Sequence, residues 1–534
     1  MTSRQDETQW HGARLLAGLL VVAAVLLVGA WWRSGRPVDL ADAPAGRLQC
    51  VSYAASGSAD APSEVTLEHL RRDLALLATR FRCVRTYTVS HGMDQVPAVA
   101  RELGLEVLLG IWIGRDAAHN EREIDLAIAA ARANRDVVRA IVVGNEVLLR
   151  HEQSPGQLAG FIRHVQHETG MPVTYADVWE FWLKHRELAG AVSFVTVHIL
   201  PYWDDAPVAI DEVVPHVGQL YRQMRAAFPG KAVLVGETGW PSAGRPRGGS
   251  VPGRVNQARY HREFAAYADS QGIPYNLIEA FDQPWKRMSE GTVGGHWGLH
   301  DVHGVAKFPW AGPMIERPEG RRVAILASAA GVATAVVALL VTGGVRIRRA
   351  AVAAAGAAMT MAIGAHQWSY LSDGNITIVD WSATLLVAGI GWILFVRALQ
   401  ALVAWPATDD PIPRTLGLAL LGSAVYVCLG LVLAGRHRDF PVWLFLPGVI
   451  AFVLAAALDL RVRARALLDR RAVEETTLAT CLLVAGTAIP LLEGLDNLRS
   501  LAWGASTVAL GLSILLPLAL ESRANEHAAD HACP

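Results

Sequence analysis

The stretch VLVGETGW, residues Val233–Trp240, decides how the chain is read. Three apolar residues (Val233, Leu234, Val235) stop at Gly236-Glu237, and Thr238-Gly239-Trp240-Pro241-Ser242 comes next as a Pro-closed turn. Short Val/Leu runs bounded by Gly and Pro read as buried strands rather than helices. Upstream, AIVVGNEVLLR (Ala140–Arg150) has the same design: Ile141-Val142-Val143, then Gly144-Asn145-Glu146. Each strand therefore presents a glutamate at its carboxyl end, and Asn145 stands directly before the first. Two carboxylates facing one substrate are what glycoside hydrolysis requires.

Outward from these strands, residues 47–312 alternate short apolar runs with amphipathic stretches. The runs are Leu48–Ala54, Cys83–Thr88, Leu105–Ile113, Val137–Val143, Val173–Asp177, Val192–Leu200, Ala232–Gly236 and Tyr275–Phe281. Seven helix-like segments lie between them. This count and length predict an α/β fold, a (β/α)8 TIM barrel. The alternative, a doubly wound open sheet, would want a Gly-rich phosphate turn after the first strand, and Ser52–Gly57 is not one. On the barrel reading Glu146 ends strand four and Glu237 ends strand seven, both at the face where barrel active sites are built. Tyr87, Trp112, Asp177 with Trp179, His198 with Tyr202 and Trp203, and Glu279 end other strands on the same rim. Indoles, phenols and carboxylates together suit sugar rings, which have apolar faces and polar edges.

The 534 residues are 52 % hydrophobic and 18 % charged, and the apolar excess is concentrated beyond Arg322. Residues 14–32 form a run of about 29 Å as a helix, enough to span the hydrocarbon core. It reads as a retained anchor after a short cytoplasmic segment (1–13). A signal peptide is the rival reading, and either one exports the barrel region. Residues 323–520 hold seven apolar blocks, read as a seven-span helical membrane domain, with 521–534 as a cytoplasmic tail. Their Ala and Gly content suggests closely packed helices. Arg346–Arg349 and the cluster Arg461, Arg463, Arg465, Arg470 and Arg471 fall inside if the barrel is outside, as the positive-inside bias prefers; Arg436-His437-Arg438 goes against it. The expected location is the cytoplasmic membrane, multi-pass, with the barrel on the periplasmic side. A formal net charge of −1 gives no pull toward nucleic acid. Of the five cysteines, Cys50 and Cys83 lie in the barrel region, as a disulfide or as two buried thiols. Their spacing is not that of a zinc site, and neither metal nor cofactor is expected.

In the chemical reading Glu146 is the proton donor and Glu237 the nucleophile of a retaining mechanism, with Asn145 bonding a sugar hydroxyl beside the reacting carbon. A lone strand-end glutamate more often caps a loop or pairs with Arg; two, at strands four and seven, reverse that. VVGNEVLLR and VLVGETGWPSAG resemble the two active-site motifs of glycoside hydrolase family 17, the β-1,3-glucanase family of clan A barrels. VRTY (Val84–Tyr87), IEAFDQPWK (Ile278–Lys286) and GGHWGL (Gly294–Leu299) resemble other stretches of it. The resemblance spans about Leu48 to Trp310 and implies the same two catalytic roles. It further implies substrate contacts from Tyr87, Asn145, Glu279 and Lys286, to which the cleft aromatics Tyr202, Trp240 and Trp285 are added. Gln283 and Trp285 stand where plant members are more acidic, and the multispan tail is foreign to those secreted enzymes. Membrane-bound bacterial relatives with a similar arrangement act on or remodel β-glucans by transglycosylation. The expected partners are β-glucan, membrane lipid and, if the tail docks rather than only anchors, a membrane glucan synthase. The competing reading is a glucan-binding or synthase-accessory membrane protein.

Overall fold

The structure, a computed structural model, describes residues 2–57, 64–341, 347–404, 412–462 and 473–530. Arg346, Arg463, Arg465, Arg470, Arg471 and Cys533 lie outside the described residues. Two compact units result: Val38–Met314, and the segment up to Pro37 together with Ile315 onward.

The first unit is a closed barrel of eight parallel strands. They are β1 (Leu48–Ser52), β2 (Phe81–Arg85), β3 (Glu106–Ile111), β4 (Val138–Asn145), β5 (Val173–Val178), β6 (Val195–His198), β7 (Val233–Thr238) and β8 (Tyr275–Leu277). With α1 (Thr2–Ser34) preceding the barrel, seven helices fill the crossovers: α2 (Leu67–Ala78), α3 (Val96–Glu102), α4 (Ala117–Ala133), α5 (Pro155–Thr169), α6 (Trp179–Lys184), α7 (Val213–Ala227) and α8 (Arg254–Gln271). Local chemistry fixes their starts. Ser154 and Gln157 form a reciprocal capping box ahead of α5, with Pro155 in its first turn, and the Asp116 side chain accepts from the Ala118 and His119 N–H groups ahead of α4.

Strand residues alternate between two apolar environments, as the two-residue period requires. Val51, Val84, Val107, Leu109, Ile141, Val143, Val173, Val195, Val197, Val233 and Val235 pack outward against the helices. Cys50, Cys83, Leu108, Ala140, Val142, Ala176, Phe194 and Leu234 fill the barrel itself. Cys50 and Cys83 are register partners on β1 and β2 and form a disulfide with a Cα–Cα distance of 4.4 Å. Above this layer the interior turns polar, because the register partners Ser52 and Arg85 continue the inward-facing parity, and Asn276, which pairs with Cys50, donates to the Ser52 hydroxyl at 2.7 Å.

The second unit is helical. α1 and seven C-terminal helices cover the apolar blocks: Gly320–Val341, Ile347–Gly374, Ile378–Ala404, Arg414–Ala434, Val442–Val462, Val473–Glu493 and Leu498–Asp530. Among the described residues six helices are long and apolar enough to cross a membrane, Arg14–Ser34 and five C-terminal ones, while Val442–Leu458 is a shorter apolar stretch. Ala17, Leu20 and Ala24 of α1 are buried in the same core as Val352, Ala355 and Leu394. Trp31 is also buried and donates its indole N–H to the Ala362 carbonyl at 2.9 Å. The N-terminal helix is thus an integral part of the bundle. Gly486 and Gly504 face each other so closely that a Cβ on either would meet the other's carbonyl, at 2.8 and 2.5 Å. Small residues permit this approach between apolar helices.

Candidate active site

The carboxyl ends of β4, β6 and β7 are irregular. Register shifts fall between Val142 and Asn145 on β4, between Val197 and His198 on β6, and between Val235 and Thr238 on β7. Such bulges re-aim side chains at barrel rims. Gly144 has φ +84°, and a Cβ there would lie 2.6 Å from Val147 Cγ2, so only glycine fits. Two residues on, Glu146 itself is held at φ +53°. Its N–H donates to the Ala176 carbonyl at 2.8 Å, and its carbonyl accepts from Arg150 N–H at 2.9 Å. The Leu148 N–H donates to the Tyr175 hydroxyl at 3.0 Å, and Tyr175 in turn donates to Asp177. A non-glycine residue in this region persists only where its surroundings over-determine it.

These bends bring Glu146 and Glu237 together around His198. One oxygen from each glutamate and a ring nitrogen of His198 lie within 4.8 Å of one another. The two carboxyls differ in setting. Glu237 Oε1 accepts from Arg85 Nη1 at 2.7 Å and from the Tyr87 hydroxyl at 2.8 Å, with His198 Nε2 3.5 Å away. Burial pushes the Glu237 carboxyl up, but His198 whenever its ring is protonated, Arg85, the Tyr87 bond and Lys286 outweigh it, and the net shift is downward. Glu146 Oε1 meets only His198 Nδ1, at 3.0 Å, among the described side chains. Its side chain is 23 % exposed against 5 % for Glu237. One carboxylate is thus held ionised at the bottom of the site and the other stands at its open edge. The same three residues offer donor atoms to a cation, but the Arg85 guanidinium already occupies the side of Glu237 Oε1 and opposes a second positive charge there.

Arg85 ties the floor together. Its Nη2 donates to Asn145 Oδ1 at 2.5 Å and its Nη1 also reaches the Gly236 carbonyl at 3.2 Å, while the guanidinium carbon lies 4.5 Å from the Tyr87 ring centroid. From sequence, the VRTY stretch points only to Tyr87. The signal for Arg85 was present: it shares the parity of Cys83, so it points into the barrel. On the far side Glu279 is buried, with Oε2 accepting from Lys286 Nζ at 2.7 Å and Oε1 without a hydrogen-bond partner among the described residues. Burial, only partly offset by Lys286, raises the Glu279 carboxyl to about 7. Trp285 is partly exposed and donates to Gln283 Oε1 at 2.9 Å, with Lys286 Nζ 5.8 Å from its ring. Tyr202 and Trp240 are fully buried. Their polar atoms donate to the Arg245 and Val251 carbonyls at 2.7 and 3.0 Å, so both stand in the wall behind the cleft surface.

Residues 50–298 match the family of the BtgE/BtgC glycoside hydrolase domain. A probable β-glucosidase btgE of Aspergillus fumigatus is 31 % identical over 236 residues, 43 % of this chain and 41 % of the relative. The chain thus spans about two fifths of the length of the curated relatives first matched. A glucan 1,3-β-glucosidase of Arthroderma benhamiae is 28 % identical over 258 residues, covering 44 % of this chain and 82 % of that protein. Among solved structures, an active-site mutant of the Rhizomucor miehei β-1,3-glucanosyltransferase in complex with laminaritriose is 28 % identical. It covers 51 % of this chain and 98 % of its own, with a TM-score of 0.44. Glu146 and Glu237 both fall inside the matched glycoside hydrolase stretch.

Proposed function

We propose that the chain is a membrane-tethered retaining glycoside hydrolase or glucanosyltransferase acting on β-1,3-linked glucan, of the glycoside hydrolase family 17 type. The observation that carries this is the pairing of Glu146 and Glu237, with oxygens within 4.8 Å and unlike surroundings. Retaining enzymes hold their carboxyl groups roughly 5–5.5 Å apart, and inverting enzymes roughly 6.5–9.5 Å. Glu237, kept ionised by Arg85 and Tyr87, attacks the anomeric carbon, while Glu146 gives its proton to the departing glycosidic oxygen. A covalent glycosyl-enzyme ester forms on Glu237. Glu146, now a carboxylate, takes a proton from water or from an acceptor sugar hydroxyl, which then displaces Glu237. Water gives hydrolysis and a sugar gives transfer. The fungal relative named for glucan 1,3-β-glucosidase activity supports the substrate class. Asn145, Tyr87, Glu279, Lys286 and Trp285 are proposed to line the sugar site.

The six long apolar helices support membrane tethering. The Cys50–Cys83 disulfide supports an oxidising, extracytoplasmic site for the barrel, on the periplasmic side of the cytoplasmic membrane. Glu237→Gln should abolish turnover of laminarin-type oligosaccharides with the fold intact, because an amide cannot form the ester intermediate. Glu146→Gln should slow natural glucan by about 10²–10⁴-fold while sparing the first half-reaction of substrates with activated leaving groups. Wild-type turnover of glucan by Glu237→Gln would sink the assignment.

A further inference from the structure

His198 is fully buried and sits between the two carboxyls. Nδ1 lies 3.0 Å from Glu146 Oε1. Nε2 lies 3.5 Å from Glu237 Oε1 and has no hydrogen-bond partner among the described residues. The ring has little freedom. His198 pairs with Glu237 across β6 and β7, and a Cβ on Gly236 would come within 3.2 Å of its Cδ2. A neutral histidine carries one proton, on one nitrogen or the other. With the proton on Nε2, Nδ1 could meet Glu146 only by accepting its acidic proton, turning that proton away from the substrate. Once Glu146 had become a carboxylate, two lone pairs would then face each other at 3.0 Å. With the proton on Nδ1, the bond to Glu146 Oε1 survives both protonation states of the glutamate. That arrangement leaves a bare, buried acceptor at Nε2 beside the nucleophile.

We propose that His198 serves both sides of the reaction centre. Its Nδ1–H holds Glu146 Oε1 as an acceptor, so the transferable proton rides on Oε2, and its Nε2 accepts a hydroxyl of the sugar ring bound over Glu237. The inference rests on Glu146 and Glu237 being acid/base and nucleophile. It makes His198 a positioning residue toward the acid and a binding residue toward the substrate.

The two nitrogens can be separated by substitution in the full-length protein. An Asn amide nitrogen reaches the place of Nδ1 and donates as Nδ1–H does, and a Gln amide oxygen reaches that of Nε2 and accepts as it does. On a laminari-oligosaccharide, His198→Gln should lose about 100-fold in kcat/KM. On a dinitrophenyl β-glucoside, whose leaving group needs no proton, it should stay within about threefold of wild type. His198→Asn should lose about tenfold in kcat/KM on both substrates, the scale of one lost hydrogen bond. Monodeoxy substrates test the second half without relying on the Gln variant folding. One deoxy position should cost wild type about tenfold, and that cost should vanish in His198→Asn. Equal losses for both variants on both substrates, or no deoxy position that matters, would overturn the proposal. A dead Glu237→Gln with His198 variants at the wild-type rate would remove this inference alone. An active Glu237→Gln would remove the underlying reading as well.

Discussion

Arg85 and Asp177 show what single residues contribute and how far they can be read. The strand-end places of Glu146 and Glu237 were legible because each interrupts an apolar strand behind a glycine, and those of Asn145 and Tyr87 because they stand at such ends. Arg85 was hidden by convention: an Arg beside a strand end is ordinarily assigned to solvent, and only inward parity reveals it as the cation under Glu237. Asp177 was legible as a rim residue, but its outward burial under α6 was not. It accepts from the Tyr175 hydroxyl and, at 2.8 Å, from the Val178 N–H. Burial, with Glu146 nearby, raises its carboxyl to about 6, the two hydrogen bonds and His198 opposing. A carboxyl raised in the folded state contributes stability present below its unfolded value, near 4, and lost as pH rises through about 6. Asp177→Asn copies the neutral form. It should match wild type near pH 4 and exceed it by about 2–3 kcal/mol at pH 7, at about 1.4 kcal/mol per pH unit. Chemical denaturation of segment 38–314 across that range measures the difference, and parallel curves would contradict it.

Among the elements, the eight strands and seven crossover helices of the barrel could be read from hydrophobic period and turn residues, since those signals are local. The strand-end bulges could not, because a register shift depends on the neighbouring strand. Gly144 is where local and non-local demands meet: sequence marks a turn, and only the fold shows the clash with Val147. Gly144→Ala should therefore destabilise the barrel by about 1–3 kcal/mol and displace Glu146, cutting glucan turnover more than it raises KM. Unchanged kinetics in this variant would mean that the bulge is not what aims Glu146. The β1–β2 staple was an open choice in the sequence between thiols and a disulfide, and the barrel register puts the pair side by side. The Cys50–Cys83 bond closes a separation of 33 residues. Replacing both with Ala should cost about 2–4 kcal/mol, read as a lower denaturation midpoint under oxidising conditions. Reduction should bring wild type down to the variant.

At the scale of the whole molecule, composition already separated a charged barrel region from an apolar one. The hydrophobic blocks could not say how α1 relates to the later helices. The buried faces of Ala17, Leu20, Ala24 and Trp31 place it within their bundle, so it has a packing role that a bare tether lacks. One span would anchor an enzyme, yet among the described residues five further helices are of spanning length. Tethering raises effective concentration without any new contact. If the helical unit keeps the active site near newly made glucan, crowded acceptor hydroxyls would outcompete water for the glycosyl-enzyme on Glu237. Transfer should then exceed hydrolysis for the full chain, whereas the isolated segment 38–314 should hydrolyse more. The measurement is the ratio of elongated to shortened products in membranes making β-glucan, with both forms adjusted to equal turnover on a dinitrophenyl glucoside. A severalfold higher transfer ratio for the full chain, lost when synthesis is stopped, would support delivery of acceptor by location. Equal ratios, with no association between the helical unit and a synthase, would leave the helices as an anchor and the balance of transfer to the barrel alone.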